Sequence, residues 1–166
     1  MFYREGAGFA VEEVRLYGPN VLSFEVVSGQ RRWYIIGCYL APDAQTRERV
    51  VTALGDQPRG TALVKAGDLN TDMGTIDCDG RGAEIAAAIT EAGLEDMAAH
   101  FLPRKRKWGR ERRTWAMVRG GEAVRSRTDY ILGTDRSLFR NVAVREPRHN
   151  SDHYMVMGLL RGGTGR

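Results

Sequence analysis

Cysteine is scarce in these 166 residues: Cys38 and Cys78 are the two present, and they lack Cys-x-x-Cys spacing. That argues against a disulfide or a zinc site and makes buried or incidental thiols the expectation. No apolar run approaches the roughly 18 to 20 residues that cross a bilayer. Met1-Phe2-Tyr3-Arg4-Glu5 lacks the charged-then-apolar layout of a secretory signal. Together these absences predict a soluble, intracellular protein with no membrane partner. Neither sign of charge dominates, since 25 Lys and Arg against 21 Asp and Glu leave a net +4. A histone-like tail is thereby excluded, while anionic partners are accommodated without being demanded. No internal repeat is present. What the chain does contain is 42% hydrophobic residues, 28% charged residues and 20 glycines, enough for one packed domain with many tight turns.

The first forty residues read as an antiparallel meander. Phe9 to Leu16 and Val21 to Val27 alternate, with turns at Gly18-Pro19-Asn20 and Ser28-Gly29-Gln30. The third run, Arg31 to Leu40, is continuously apolar through its centre, as a strand covered on both faces should be. Asp43 is a candidate N-cap for a helix through Val50, Val51 and Leu54, ending near Gly55. A strand over Thr61 to Ala66 closes on Gly67-Asp68-Leu69-Asn70. Arg81 to Ala92 carries Ile85, Ala88, Ile89 and Ala92 at helical spacing, and Gly93 suits its C-terminal end. Further strands are predicted over Thr114 to Val118, Val124 to Leu132, Asn141 to Arg145 and Tyr154 to Leu160, before a frayed Gly-rich tail from Arg161 to Arg166. Trp33 and Trp115 read as core, and one of Met155 and Met157 should face inward.

The acids carry the functional signal. Asp68, Asp129 and Asp152 each lie in or beside an apolar strand, where a carboxylate is costly unless paired or bound to metal. Each has an ordinary explanation when taken alone. Gly-Asp-Leu-Asn is also the composition of a turn after a strand. Asp129 could pair with Arg125 or Arg127 at a strand end. Ser151-Asp152-His153 could be a cap or surface polarity, although it sets a carboxylate beside the side chain best suited to exchange protons near neutral pH.

Taken in order, Tyr39-Leu40-Ala41-Pro42, Gly67-Asp68-Leu69-Asn70, Ser126-Arg127-Thr128-Asp129-Tyr130-Ile131-Leu132 and Ser151-Asp152-His153 resemble the endonuclease/exonuclease/phosphatase superfamily over about Tyr39 to Leu160. The Arg-rich, Trp-bearing stretch from Arg104 to Trp115 most resembles the endonuclease domains of non-LTR retrotransposons. The resemblance implies an α/β fold, a four-layer sandwich of two mixed sheets packed face to face with helices outside. It further implies metal-dependent phosphodiester hydrolysis on DNA, with Mg2+ as cofactor and Mn2+ a possible substitute. By resemblance Asp68 orients or deprotonates the attacking water and Asn70 hydrogen-bonds the scissile phosphate. Tyr39 contacts that phosphate, and His153 binds it with Asp129 fixing its tautomer and favouring imidazolium. Asp152 faces the metal. These residue types suit the reaction, which builds negative charge on phosphate oxygens and must dispose of a water proton.

The resemblance also implies something missing. Superfamily members begin with an apolar strand ending in Asn and a second carrying the principal Glu ligand for magnesium. Neither precedes the meander, and Glu5, Glu12, Glu13 and Glu25 do not replace that Glu. The expectation is a single domain over residues 1–160, incomplete at its amino terminus by roughly 60 to 80 residues on the usual domain size and impaired in catalysis. The alternatives are a catalytically inactive retroelement remnant that binds nucleic acid, and a phosphomonoesterase. A retroelement protein would be nuclear. Arg104, Lys105, Arg106, Lys107 and Trp108 form a candidate nucleic-acid contact, with cations for the backbone and an aromatic for a base; a solvated loop with Trp108 over a core edge is the other reading.

Overall fold

A computed structural model of the chain describes residues 8–41, 44–55, 62–73, 80–102, 113–145 and 151–161. The expectations placed on Asp43, Cys78, Arg104 to Trp108 and the tail beyond Arg161 lie outside these residues.

The meander forms as its alternation predicts. Strands β1 (Ala10–Leu16), β2 (Val21–Ser28) and β3 (Arg31–Tyr39) pair antiparallel in order. Helix α1 (Ala44–Gly55) then carries the chain over to β4 (Ala62–Asp68), which pairs parallel with β3. Helix α2 (Gly80–Glu91) ends as its sequence suggests. Gly93 takes φ +61, its N–H bonds Thr90 O, and Leu94 N–H bonds Ile89 O, a closure that glycine makes without steric cost. The short β5 (Glu95–Asp96) and α3 (Met97–Phe101) follow, neither signalled by periodicity.

The run from Val124 to Leu132 is not one strand. It divides into β7 (Glu122–Ser126), which forms a hairpin with β6 (Trp115–Arg119), and β8 (Asp129–Gly133), which joins the main sheet. The main sheet is mixed, with order β1-β2-β3-β4-β8-β5. Strands β9 (Phe139–Arg145) and β10 (Met155–Leu160) make a separate antiparallel ribbon.

Side chains alternate across a strand, so each face of the main sheet can be read from parity. Tyr34, Ile36, Cys38, Leu63, Tyr130 and Leu132 point to a core shared with Val50 and Leu54 of α1 and Ile85 and Ile89 of α2. Val64 and Ile131 point the other way, into a core with Met97 and Ala98 of α3 and Phe139 and Val142 of β9. Because β3 is covered on both faces, its middle is continuously apolar. The ribbon approaches the sheet closely at Gly158, where a Cβ would lie 3.2 Å from both Ile131 and Phe139. Val156 and Leu160 share that inward side. Met155 and Met157, two residues apart, share the outward side and are both exposed, correcting the expectation that one faces inward. The α/β sandwich is thus built of helices α1 and α2, the six-stranded sheet, and a second sheet that comprises the β9–β10 ribbon among the described residues.

Lys65 is fully buried on the helix-facing side of β4. Its ammonium donates to the carbonyls of Ala53, at 2.8 Å, and Leu54 in the last turn of α1, where the helix dipole favours a cation.

Candidate active site

Three of the predicted residues form one row across the main sheet. Tyr39 is the parallel register partner of Asp68, and Asp68 is the antiparallel partner of Asp129. Register partners project to the same face. By parity that face is the one the ribbon covers, and the row lies at the sheet end where β3 and β4 finish and β8 begins. Cover is incomplete there: Tyr39 is 46% exposed, and Asp68 and Asp129 are half-buried.

Asp68 makes the turn and also faces His153, so the geometry is compatible with both readings of Gly-Asp-Leu-Asn. One carboxylate oxygen, Oδ1, accepts the Asn70 N–H at 2.8 Å, with Asn70 in the left-handed region at φ +47. The other, Oδ2, lies 4.0 Å from His153 Nε2. On the far side of the imidazole, His153 Nδ1–H donates to Asp129 Oδ2 at 3.0 Å. The same oxygen accepts the Thr128 hydroxyl at 3.0 Å. Asp129 therefore serves His153, while Arg127 pairs with Asp96 through two hydrogen bonds of 2.6 Å; the expected alternative of an Asp129–Arg127 ion pair does not form.

His153 is brought to this row by the base of the β6–β7 hairpin. Trp115 and His153 form an antiparallel bridge. Tyr154 N–H donates to Thr114 O at 2.7 Å, and Ala116 N–H to Asp152 O at 2.9 Å. Buried Thr114 also accepts the N–H groups of Thr128 and Asp129 on its hydroxyl, at 3.0 and 2.9 Å. Trp115 is half-buried rather than core, and its indole N–H donates to Asp152 Oδ2 at 3.0 Å. That bond ties the Asp152 carboxylate to the hairpin. Sequence reading missed Thr114, Thr128 and the Trp115 indole; Thr114 directly preceding a strand aromatic gave no signal by itself.

Electrostatics follow from this geometry. Burial works against a charged imidazole, but the hydrogen bond to Asp129 and the negative charges of Asp129, Asp68 and Asp152 outweigh it, and His153 titrates above the ordinary histidine value. Burial, reinforced by the Asp129 charge, lifts Asp68 above the usual carboxylate range against the pull of the Asn70 amide, His153 and Thr128. Both shifts are upward, so both groups bind protons more tightly folded than unfolded. In the metal-free chain the His153 contribution to stability is complete below its unfolded value of about 6.5 and is lost as pH rises through the higher folded value. Asp68 follows the same sign at lower pH, so its ionised form costs stability at neutrality. An NMR titration is expected to find His153 more basic than a peptide histidine, and Asp129→Asn to bring it down; an unshifted His153 in the unmutated chain would overturn the pairing.

Asp68, Asp129 and His153 each offer one ligand atom, all within 4.8 Å of one another, a group that could hold a divalent ion. The donor set fits magnesium through its carboxylates and not through its imidazole. Magnesium takes oxygen ligands, while a ring nitrogen suits manganese or zinc and must be unprotonated to bind.

No protein-family profile matches the sequence, and no curated protein matches it. Solved structures do. The endonuclease domain of TRAS1, a telomere-specific non-LTR retrotransposon, superposes with a TM-score of 0.69 at 21% identity, over 92% of this chain and 70% of that one. An endonuclease/exonuclease/phosphatase family protein from Leptotrichia buccalis gives a TM-score of 0.61 at 17% identity, over 92% and 59%. TDP2 from Caenorhabditis elegans gives 0.56 at 14% identity, over 90% and 50%. This chain thus spans between half and seven tenths of the length of the structures it resembles. Together with the mixed sheet and flanking helices, these superpositions give the chain the α/β fold of the endonuclease/exonuclease/phosphatase proteins.

Proposed function

We propose that the chain is a metal-dependent phosphodiesterase domain acting on DNA. The observation that carries this reading is the imidazole of His153 held between Asp129 and Asp68 at the paired ends of β8 and β4, with Asn70 in the adjoining turn. An imidazolium fixed through Nδ1–H by one carboxylate keeps its Nε2–H for a phosphate oxygen, and the carboxylate it faces is placed for the water. Asp68 takes the water proton, Asn70 donates to the phosphate, and exposed Tyr39 closes the row against it. Asp68 and Asp152 would hold magnesium, with manganese able to replace it, and the ion would supply Lewis-acid polarisation of the phosphate. DNA is the proposed substrate because the structural likeness with a TM-score of 0.69 is to a retrotransposon endonuclease domain.

Residues 1–166 are proposed to act slowly. His153 and Thr128 share Asp129 Oδ2, and Trp115 takes Asp152 Oδ2, so these bonds leave one oxygen of each carboxylate for a metal. Nicking of supercoiled plasmid that requires Mg2+ and disappears in Asp68→Asn supports the reading. Salt-dependent retention of DNA without nicking points instead to a binding remnant, and release of inorganic phosphate from small esters to a phosphomonoesterase.

Arg104, Lys105, Arg106 and Lys107 are proposed to bind the phosphate backbone, with Trp108 stacking on a base. Replacing the four cations with alanine is expected to weaken binding to all sequences alike and to flatten the salt dependence by about 0.7 to 0.9 of slope for each phosphate no longer neutralised. Unchanged slopes in a filter-binding series would assign the segment to solvent.

A further inference from the structure

We propose that Tyr130 and Asp72 are positioning residues: they hold the Asp68–Asn70 turn against the strand that carries Asp129, acting from the opposite face of the sheet. The proposal deepens the phosphodiesterase reading and rests on it for its catalytic consequence, though not for its structural one.

The turn needs holding. Asn70 is a non-glycine residue in the left-handed region at φ +47, a state that asparagine adopts more readily than other L residues but that nothing in its own side chain fixes relative to the sheet. Its own bond to Asp68 Oδ1 spans two residues and cannot orient the turn relative to β8. The hydrogen bonds that do so lie on both sides of Asn70, and all reach residues 127–130. Leu69 N–H donates to Thr128 O at 2.8 Å. Arg127 N–H donates to Asp72 Oδ2 at 3.0 Å. Met73 N–H donates to the Tyr130 hydroxyl at 3.1 Å. That hydroxyl has a single proton, directed to Arg127 O at 3.0 Å or Thr71 O at 3.3 Å. The bonds of Leu69, Asp72 and Met73, and that of the hydroxyl to Thr71 O, join the chain that leaves Asp68 to residues 127–130; the bond to Arg127 O instead steadies the hydroxyl within that segment.

Tyr130 is a fixed anchor. The ring is buried, and the Arg127 guanidinium sits 4.4 Å from its centroid. That guanidinium is locked in turn by Asp96, the N-cap of α3. Burial pushes the Tyr130 phenol up to about 12, so it stays protonated and able to donate. Parity turns Tyr130 toward α1 and α2, away from the Asp129 carboxylate next to it in the chain. It touches neither His153 nor the carboxylates, and its influence on them passes through the backbone.

Tyr130→Phe keeps the ring and its stacking and removes the hydroxyl. Amide hydrogen exchange is expected to quicken at Leu69 to Met73, with β4 itself unchanged. The kcat for plasmid nicking should fall about ten- to a hundredfold at unaltered KM, the scale of a small misplacement of reacting groups. Asp72→Ala should reproduce both effects, and Asp72→Asn, which retains the acceptor oxygen, should restore them. Val142→Ala, a truncation of a buried side chain in the opposite core, should lower stability without the exchange signature or the kcat loss. Unchanged exchange at Leu69 to Met73 in both Tyr130→Phe and Asp72→Ala overturns the proposal, as does a kcat loss in Val142→Ala of the same size. If the unmutated chain does not nick, the phosphodiesterase reading fails, and the exchange result alone decides whether these residues hold the turn.

Discussion

His153→Ala is expected to reduce Mg2+-dependent nicking about a thousandfold, within the range seen when a transition-state donor or acid–base group is removed. Stability should change little. The His153 side chain is 36% exposed, and its one short side-chain hydrogen bond is to Asp129, which keeps the Thr128 hydroxyl when the imidazole is gone. Activity and stability therefore separate cleanly in this variant, which few substitutions in the row can offer. Asp129→Asn should give a smaller loss, because the imidazole remains but loses its charged partner. The measurement is a time course on supercoiled plasmid beside a thermal melt of the same samples. Nicking that survives His153→Ala would show that the imidazole has no part in the reaction, or that another enzyme is present.

The largest effect on stability is expected at Gly67→Ala. A Cβ at this position would lie 1.7 Å from the Cys38 carbonyl oxygen and 2.8 Å from its carbon. Both atoms are backbone of the neighbouring strand, so no side chain can move aside. Gly67 also sits at φ +156, a conformation that L side chains rarely adopt. Relief requires β3 and β4 to part where Asp68 meets Tyr39, in the middle of the main sheet. A destabilisation of about 4 kcal/mol or more is expected, the exceptional class for a single substitution, read as a collapse of the urea midpoint or as failure to fold. By contrast Gly120→Ala, in a hairpin turn with open space around it, should be mild despite its φ of +60. Equal behaviour of the two would mean that backbone angle rather than the Cys38 clash governs both.

Much of this architecture could be read from the residues. The meander, α1 and α2 were legible because their signals are local: alternation, helical spacing and glycine at a turn. Tyr39, Asp68 and Asp129 stood out only through the order of motifs that resembles the endonuclease/exonuclease/phosphatase superfamily, since each acid alone had an ordinary explanation. The failures share a different cause. Val124 to Leu132 reads as one strand because Arg127 and Thr128 interrupt it without glycine or proline. The change of sheet there is fixed by Thr114, which takes the Thr128 and Asp129 amides, and by Asp72, which takes that of Arg127. Such bonds join distant segments, and no window of sequence contains them. Trp115 looked like core because it alternates with apolar neighbours, yet its indole proton has Asp152 to satisfy. β5 and α3 were missed because they are too short for periodicity to register; α3 is set by the Asp96 cap.

The pairing of Asp68 with Asp129 has a kinetic meaning as well as a geometric one. These residues become neighbours only when β4 and β8 zip in a single register, and a slip of one position turns every side chain of β8 to the other face. Non-local pairing of this kind comes late, after the loop-closure cost of a long intervening chain has been met. A collapsed but unzipped chain holds all the residues of the site and none of its chemistry. Reactivity toward a phosphodiester would then be a property of the one correct register, and copies with β8 slipped by a residue would be chemically silent.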